Sequence, residues 1–309
     1  HGRVLANFLH LAPPKKDIHL LQRLDDNESI LRKCRALLSE SVKNKSRIAP
    51  AGEWLLDNFY LIEEQIRTAR KHLPKRFNSE LPRLANGQSE GLPRVYDLAL
   101  EVISHGDGRI DTETLTRFIT AYQTITPLNL GELWATPIML RLAVIENLRR
   151  VAARITASRE YVNKAQDWAT AMIDVAEHDP KNLIVVVADM ARSKPPMVSS
   201  FIAELTRRLH GHGPALALPL TWIEQRLAES SLTIEQMVLT ETQQQAADQV
   251  SISNSIGSLR VLGATDWRQF VETVSAVEKT LHQDPAGIYT KMDFATRDSY
   301  RREIDYLAK

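Results

Sequence analysis

Residues 50–70 carry a helical pattern whose apolar face is unusually wide. At about 100° per residue, one line along such a helix is formed by four apolar side chains, Leu55, Phe59, Ile62 and Ile66. Trp54, Leu56 and Leu61 widen this face on its two sides. A surface helix usually buries an arc of only about 100°, so the pattern predicts a central helix. Its polar face is a narrow stripe of Glu53, Asp57, Tyr60 and Glu64.

The acidic residues of this stripe allow two interpretations. In the first, Glu53, Asp57 and Glu64 pair with arginines of neighbouring helices and fix the packing register. In the second, the carboxylates form a cluster for acid/base catalysis or for binding a sugar or a cation. A catalytic cluster would use two carboxylates from this stripe and Glu132 to process a glycan. The chain offers many basic partners and no metal-ligand spacing nearby, which favours structural pairing. We therefore predict no catalytic residue and keep these four carboxylates as the alternative.

A second central helix is predicted at about residues 127–156, where apolar residues surround the axis almost completely. Arg141 falls on an apolar side of it, and a buried guanidinium needs a carboxylate partner. Structural pairing is the first interpretation, and a clamp for an anionic ligand is the alternative. The candidate partners are Glu53, Asp57, Glu64, Glu132 and Glu146.

Polar and aromatic residues interrupt both predicted central helices. Asn58 and Gln65 fall inside the apolar arc of the first helix, where each needs a hydrogen-bond partner or costs about 1–3 kcal/mol. A polar cluster that either binds a ligand or serves the structure is therefore predicted from Trp54, Asn58, Tyr60, Trp134 and Arg141.

Helical patterns cover nearly all the rest of the chain, apart from an irregular passage at residues 73–93. The predicted fold class is all-α, a multi-helix bundle or stacked helical hairpins without a substantial β-sheet. We predict one helical subdomain at 1–177, containing central helices at about 50–71 and 127–156, and a second at 178–309 packed on it. The GDGRID stretch at 106–111 lacks the acidic positions of a calcium loop and predicts a turn between helices.

Near the end of the chain, charged residues four apart form one stripe, as in solvated ion-pair ladders. These residues are Asp293, Arg297, Arg301 and Asp305.

Composition excludes several classes of protein. The formal net charge is +1 with interspersed signs, which argues against nucleic acid as a partner. Cys34 is the only cysteine, so a disulfide within the chain and a cysteine-based zinc site are excluded, and a buried thiol in a reducing compartment is predicted. The longest apolar run, residues 133–145, is shorter than the about 20 residues of a membrane span. Because the chain starts at His1, a membrane segment outside it stays compatible with this pattern.

Motifs for common chemistries are missing from the sequence. There is no Gly-rich phosphate loop and no Asp-x-Asp for a metal-held diphosphate. His210 and His212 flank a glycine without a third ligand, so turn residues are favoured over a metal site. We therefore expect no metal, no cofactor and no catalytic centre in this stretch.

Six segments resemble the amino-terminal region of bacterial cyclic β-1,2-glucan synthases. They are EWLLDNF at 53–59, LIEEQI at 61–66, LPRVY at 92–96, GELWA at 131–135, IENLRR at 145–150 and MDFATRDSYR at 292–301. The likeness spans nearly the whole chain from about residue 26 and is weakest at 181–232.

The resemblance implies a cytoplasmic amino-terminal part of a large inner-membrane polypeptide. In that family a processive glycosyltransferase uses UDP-glucose, and further domains carry out cyclisation and phosphorolytic length control. Their catalytic motifs would lie downstream of this chain, so no catalytic residue is carried over. The expected function is a non-catalytic helical module that supports or regulates glucan synthesis. Its expected partners are the downstream domains, with β-1,2-glucan as a candidate ligand. An oligomerisation scaffold is a further alternative.

Overall fold

The computed structural model describes residues 2–12, 19–44, 48–73, 81–87 and 89–307. Within them the chain forms fourteen α-helices and two very short strands, which confirms the predicted all-α class. The helices are α1 Gly2–Phe8, α2 His19–Lys43, α3 Pro50–Asp57, α4 Phe59–His72, α5 Arg94–His105, α6 Thr112–Gln123, α7 Leu130–His178, α8 Leu183–Arg192, α9 Ser199–Leu209, α10 Ala217–Ala228, α11 Ile234–Ala264, α12 Trp267–Val274, α13 Ala276–Leu281 and α14 Phe294–Leu307.

Each of the two strands is two residues long. Strand β1, Leu11–Ala12, pairs antiparallel with β2, Arg83–Leu84, with Leu11 opposite Leu84. Part of the irregular passage predicted at 73–93 falls on residues 74–80 and 88, which lie outside the described residues. Three short 3₁₀ turns complete the secondary structure, at Pro180–Asn182, Pro214–Leu216 and Tyr289–Lys291.

The first central helix is interrupted, which corrects the prediction of one helix over 50–71. Helix α3 ends at Asp57 and α4 begins at Phe59, with Asn58 between them at φ −105° and ψ 10°. Asparagine is a weak helix former because its amide competes for local hydrogen bonds. Here Oδ1 of Asn58 accepts a hydrogen bond from Nη2 of Arg260 on α11 at 2.9 Å. This bond supplies the partner that the buried amide was predicted to need.

The second central helix, α7, is longer than the predicted 127–156. It starts with a reciprocal cap, in which the backbone N–H of Glu132 donates to Oδ1 of Asn129 at 2.8 Å. The backbone N–H of Asn129 donates in return to Oε2 of Glu132 at 3.0 Å. The helix then continues to His178 and includes Pro137. The capping pair therefore places its start at Leu130.

Two compact units are interleaved along the chain. Unit 1 comprises the described residues within His1–Leu31, Asn58–Arg149 and Ser251–Lys309, and unit 2 those within Arg32–Asp57 and Arg150–Val250. These boundaries differ from the predicted division at 177 and 178, which stays a prediction. Each unit has its own buried apolar residues. In unit 1 they include Phe59, Ile62, Ile66, Tyr96, Tyr122, Leu140 and Ile145, and in unit 2 Met172, Met190, Phe201, Leu205 and Ile223.

The GDGRID stretch connects α5 and α6, as predicted, and α11 fixes it. The hydroxyl of Ser258 accepts from the backbone N–H of Ile110 and donates to the carbonyl of Gly108, both at 2.7 Å. Gly108 has a φ of +83°, and a Cβ there would lie 2.3 Å from Oγ of Ser255. Glycine is therefore required at this position for both its conformation and its small size.

Two further predictions concern the burial of Cys34 and a membrane-spanning helix. Cys34 is buried in unit 2, with Sγ 3.4 Å from Oγ1 of Thr156, so the predicted buried thiol is confirmed. Across the described helices, none combines the length and apolarity needed to cross a bilayer.

Candidate functional site

The polar stripe predicted on the first central helix is exposed. Glu53 and Asp57 lie on α3 in unit 2, and Tyr60 and Glu64 lie on α4 in unit 1. The side chain of Tyr60 is 64% exposed. The hydrophobic periodicity therefore located the outer face of both helices correctly, although it did not reveal the break between them.

Glu132, the fourth candidate carboxylate, is completely buried against Arg94. Its Oε1 accepts from Nε of Arg94 at 2.9 Å and its Oε2 accepts from Nη2 at 2.6 Å, a bidentate pair. Nη2 of Arg94 also donates to the carbonyl of Pro127 at 3.1 Å, and the guanidinium lies 5.8 Å from the centre of the Tyr122 ring. Burial lowers the pKa of Arg94, but the bonds to Glu132 outweigh it and raise the pKa overall. Glu132 thus holds α5 against the start of α7.

Glu146 follows Arg141 on α7 and binds residues of two other helices of unit 1, α2 and α5. Its Oε2 accepts from the hydroxyl of Tyr96 and its Oε1 from Nη2 of Arg23, both at 2.6 Å. Burial raises the pKa of Glu146, but the bonds from Arg23 and Tyr96 outweigh it and lower the pKa overall. Burial and the neighbouring Glu146 raise the pKa of Tyr96. The carboxylate is therefore held ionised as a brace between α2, α5 and α7.

Arg141 is paired with an amide, which corrects the predicted carboxylate partner. It is only 9% exposed, and its Nε donates to Oε1 of the buried Gln65 at 2.7 Å. Among the described residues, none is recorded in an ion pair with Arg141. Burial lowers the pKa of Arg141. Two polar groups that each needed a partner on apolar faces thus satisfy each other.

Three members of the predicted polar cluster have identified partners in unit 1. Within unit 1, Asn58 contacts Arg260 and Arg141 contacts Gln65. The partly buried Trp134 packs edge-on against Phe294, with ring centres 6.2 Å apart. Trp54 is in unit 2 and is 39% exposed. The role of the predicted members as ligand contacts stays a prediction.

The charged stripe near the end of the chain is only partly solvated. Asp293 is exposed and Arg297 and Asp305 are half-buried, but Arg301 is buried, so the prediction of a solvated ladder is wrong at Arg301. Arg301 is fully buried and donates through Nη1 to Oε2 of Glu278 at 2.6 Å and to Oε1 of Glu272 at 3.2 Å. The same Glu278 oxygen accepts from the hydroxyl of Tyr289 at 2.6 Å. Burial raises the pKa of Glu278, but the bonds from Tyr289 and Arg301 outweigh it and lower the pKa. Arg297 also contacts Glu272, at 2.9 Å.

Four of the six segments that carry the family resemblance pair with one another inside unit 1. Segment 92–96 supplies Arg94 and Tyr96, which bind Glu132 of segment 131–135 and Glu146 of segment 145–150. In addition, Trp134 of segment 131–135 packs on Phe294 of segment 292–301. Charge spacing alone did not predict these pairs, although their residues lie in the segments that carry the resemblance. These four segments therefore fix the packing of helices.

Metal chemistry has no visible support in the described part of the chain. No group of three or more His, Cys, Asp or Glu side chains there is arranged to hold a metal ion. His210 and His212, the weak metal signal of the sequence, lie around the turn after α9 and are exposed.

The fold and its buried ion pairs define an all-helical module with an internally braced core. Comparison with known proteins identifies the family to which this module belongs. The chain is 32% identical over 285 residues to the cyclic beta-(1,2)-glucan synthase NdvB of Rhizobium meliloti (strain 1021). It belongs with the amino-terminal region of the cyclic β-1,2-glucan synthases, as its sequence segments predict.

The match covers very different shares of the two proteins. It covers 92% of the present chain and 10% of the relative, so the chain spans about a tenth of the length of that synthase. No protein-family model matches the chain.

Proposed function

We propose that this chain is a non-catalytic helical module of a cyclic β-1,2-glucan synthase-like polypeptide. It supports or regulates glucan synthesis by a glycosyltransferase located elsewhere in the same polypeptide. The module would lie on the cytoplasmic side of the inner membrane and contact the downstream domains. The sequence relationship to the synthase supports the association with glucan synthesis.

The observation that carries the non-catalytic role is the environment of Glu132. A general acid or base must reach its substrate and exchange a proton. Glu132 is fully buried, and its two oxygens accept bonds from Arg94 and from the backbone of Asn129. Its acceptor positions are thus used by the fold itself.

The other three candidate carboxylates support the same proposal. Glu53, Asp57 and Glu64 have exposed side chains on the outer faces of α3 and α4. A catalytic acid usually depends on a partly buried site that perturbs its pKa. Exposure on a helix surface suits solvation or contact with another domain better than acid/base chemistry.

The test compares the separate chain with the complete synthase. The purified chain is incubated with UDP-glucose and, in a second assay, with linear β-1,2-glucan, and products are followed by chromatography. We expect no turnover in either assay. Membranes containing the synthase without this region are then assayed with UDP-glucose, and we expect a changed rate or length distribution of glucan.

Two outcomes would contradict this proposal. The first is cleavage or synthesis of glucan by the separate chain, especially if Glu53→Gln or Glu64→Gln abolished it, because that would support the carboxylate alternative. The second is unchanged glucan synthesis after removal of the region. The Glu132→Gln variant is unsuitable as the probe because it also disturbs the fold.

A further inference from the structure

Unit 2 contains a cavity of about 840 Å³ lined mainly by α7, α9 and α11, with further residues from α2, from the start of α3 and from the two positions before it. We propose that this cavity binds a phosphate-bearing metabolite. This inference does not depend on the proposed function, because it concerns binding by the chain itself.

The lining follows one face of each helix. Helix α7 contributes Arg154, Ser158, Val162 and Gln166, which are spaced four residues apart. Helix α9 contributes Ser200, Ala203, Glu204 and Arg207, and α11 contributes Val238, Glu241, Gln245 and Asp248. Spacings of three and four place side chains on the same side of a helix. Three partly polar helix faces therefore surround one space within unit 2.

Glu204, one carboxylate of the lining, is already satisfied by the chain. Its oxygens accept from Nε and Nη2 of Arg207 at 2.9 and 2.7 Å and from Nε of Arg208 at 2.8 Å. The amide of Gln166 donates to it at 3.0 Å. Four donated bonds use the acceptor positions that a carboxylate offers. A ligand therefore meets the guanidinium groups rather than this carboxylate.

The two remaining carboxylates are used in the same way. Asp248 accepts from Nε of Arg154 at 2.9 Å and from its Nη2, and the amide of Gln244 donates to it at 2.9 Å. Glu241 accepts from the hydroxyl of Ser199 at 2.8 Å and from the amide of Gln245 at 2.9 Å. The lining thus retains mainly N–H and O–H donors for a ligand.

The arginine side chains of the lining are more exposed than the carboxylates with which they pair. The Glu204 side chain is 12% exposed, whereas those of its partners Arg207 and Arg208 are 59% and 36% exposed. Asp248 is 8% exposed and its partner Arg154 is 42% exposed. With Arg159, the lining holds four arginines against three carboxylates. The accessible charge of the cavity is therefore positive.

Two further observations favour the binding of an anion in this cavity. Burial lowers the pKa of Arg159; Glu204 opposes this shift, and the like charge of Arg208 adds to it. An anion between these guanidiniums would relieve their repulsion. Thr206 is 95% buried in the lining, and its side-chain hydroxyl has no hydrogen-bond partner within the described chain. A ligand oxygen would give this hydroxyl a partner.

The shape and composition of the cavity favour phosphate with an attached organic group. Planar guanidinium groups match the oxygens of a phosphate, and arginine is the residue preferred for such recognition. Cavities of about 300–1,000 Å³ hold small metabolites, so space is left for a sugar or nucleoside beside the phosphate. Among the described lining residues there is no Trp, Tyr or Phe for stacking a neutral sugar ring.

Calorimetric titration of the purified chain tests this inference. Inorganic pyrophosphate, glucose 6-phosphate and glucose are titrated separately at one fixed salt concentration. We expect saturable binding of pyrophosphate, of glucose 6-phosphate or of both, and none of glucose. The tighter of the two phosphates then distinguishes a diphosphate group from a phosphate monoester as the preferred ligand.

Variants locate the binding to the cavity. Arg207→Gln and Arg208→Gln are each expected to weaken binding by about tenfold, because a charge-assisted hydrogen bond is lost. Arg226→Gln is the matched control, since Arg226 is also an exposed, ion-paired arginine of unit 2 but does not line the cavity. Circular dichroism confirms that each variant is folded. Absence of saturable phosphate binding, equal binding of glucose, or equal weakening by Arg226→Gln would overturn the inference.

Discussion

The side chains of Gln65 and Arg141 satisfy each other across α4 and α7, with Nε of Arg141 donating to Oε1 of Gln65 at 2.7 Å. Both residues are more than nine-tenths buried. A neutral amide thus stands where an ion pair would be expected for a buried guanidinium. The polar positions of the two central helices are therefore coupled, and changing one residue should affect the other.

Gln65→Leu is expected to destabilise unit 1 by about 1–3 kcal/mol, because it leaves the buried Nε of Arg141 without an acceptor. Urea unfolding of the variant measures this loss. The double variant Gln65→Leu/Arg141→Leu should be more stable than Gln65→Leu alone. Glu64→Leu, a change at the exposed neighbouring position, is the control and should have little effect. Equal losses for Gln65→Leu and Glu64→Leu would contradict the coupling.

Arg94→Met should destabilise the protein by about 3–5 kcal/mol, because it leaves the carboxylate of Glu132 buried without its charged partner. The surface pair Arg117–Glu113 serves as the matched control. Since both of its side chains are largely exposed, Arg117→Met should cost only about 0–1 kcal/mol. Urea midpoints of the two variants are compared at neutral pH, and similar midpoints would contradict the structural role of Arg94.

Gly108→Ala should be much more disruptive than Gly211→Ala. Both glycines have positive φ, of +83° and +88°, so alanine is strained by about 1–2 kcal/mol at either site. At Gly108 the added Cβ also meets Ser255, whereas the space around Gly211 is open. This overpacking should add about 1–3 kcal/mol, measurable by thermal unfolding. Equal melting temperatures for the two variants would show that the turn can move away from α11.

Acid should destabilise unit 1 partly through Glu146. Its folded-state pKa is lowered from the ordinary value of 4.5, so its contribution is present above that value. The contribution is lost as the pH falls below 4.5 and through the folded-state pKa, when the carboxylate becomes protonated.

Glu146→Gln tests this dependence. The variant should be less stable at neutral pH, because the charge-assisted bond from Arg23 is weakened, but it should lose less stability than the unmodified protein on acidification. Urea unfolding across the acid range measures both slopes. The same acid slope in both proteins would mean that Glu146 is not the responsible group.

Hydrophobic periodicity was sufficient to predict the all-α class and the exposed face of α3 and α4, because both depend on local spacing. It could not predict the break at Asn58, since the Arg260 that binds its amide is distant in the sequence. Charge spacing wrongly predicted a solvated position for Arg301. Residues four apart share a helix face whether that face contacts water or protein. The acceptors of Arg301, Glu272 on α12 and Glu278 on α13, belong to other helices.

The site was less predictable than the fold for the same reason. The pairing of Arg94 with Glu132 and of Tyr96 with Glu146 requires contacts between separate segments. Resemblance marked these residues without indicating which pairs they form. The arginines around the unit 2 cavity gave no sequence signal, since their convergence depends on the packing of α7 and α9.

Cys34 gives the molecule a natural reporter. It is the only cysteine in the sequence, and its thiol lies beneath the surface of unit 2 beside Thr156. A thiol-reactive dye can modify it only when that part of the chain opens. The rate of labelling therefore follows the local opening of unit 2 without any engineered probe, and it provides a direct readout of whether a small molecule keeps that unit closed.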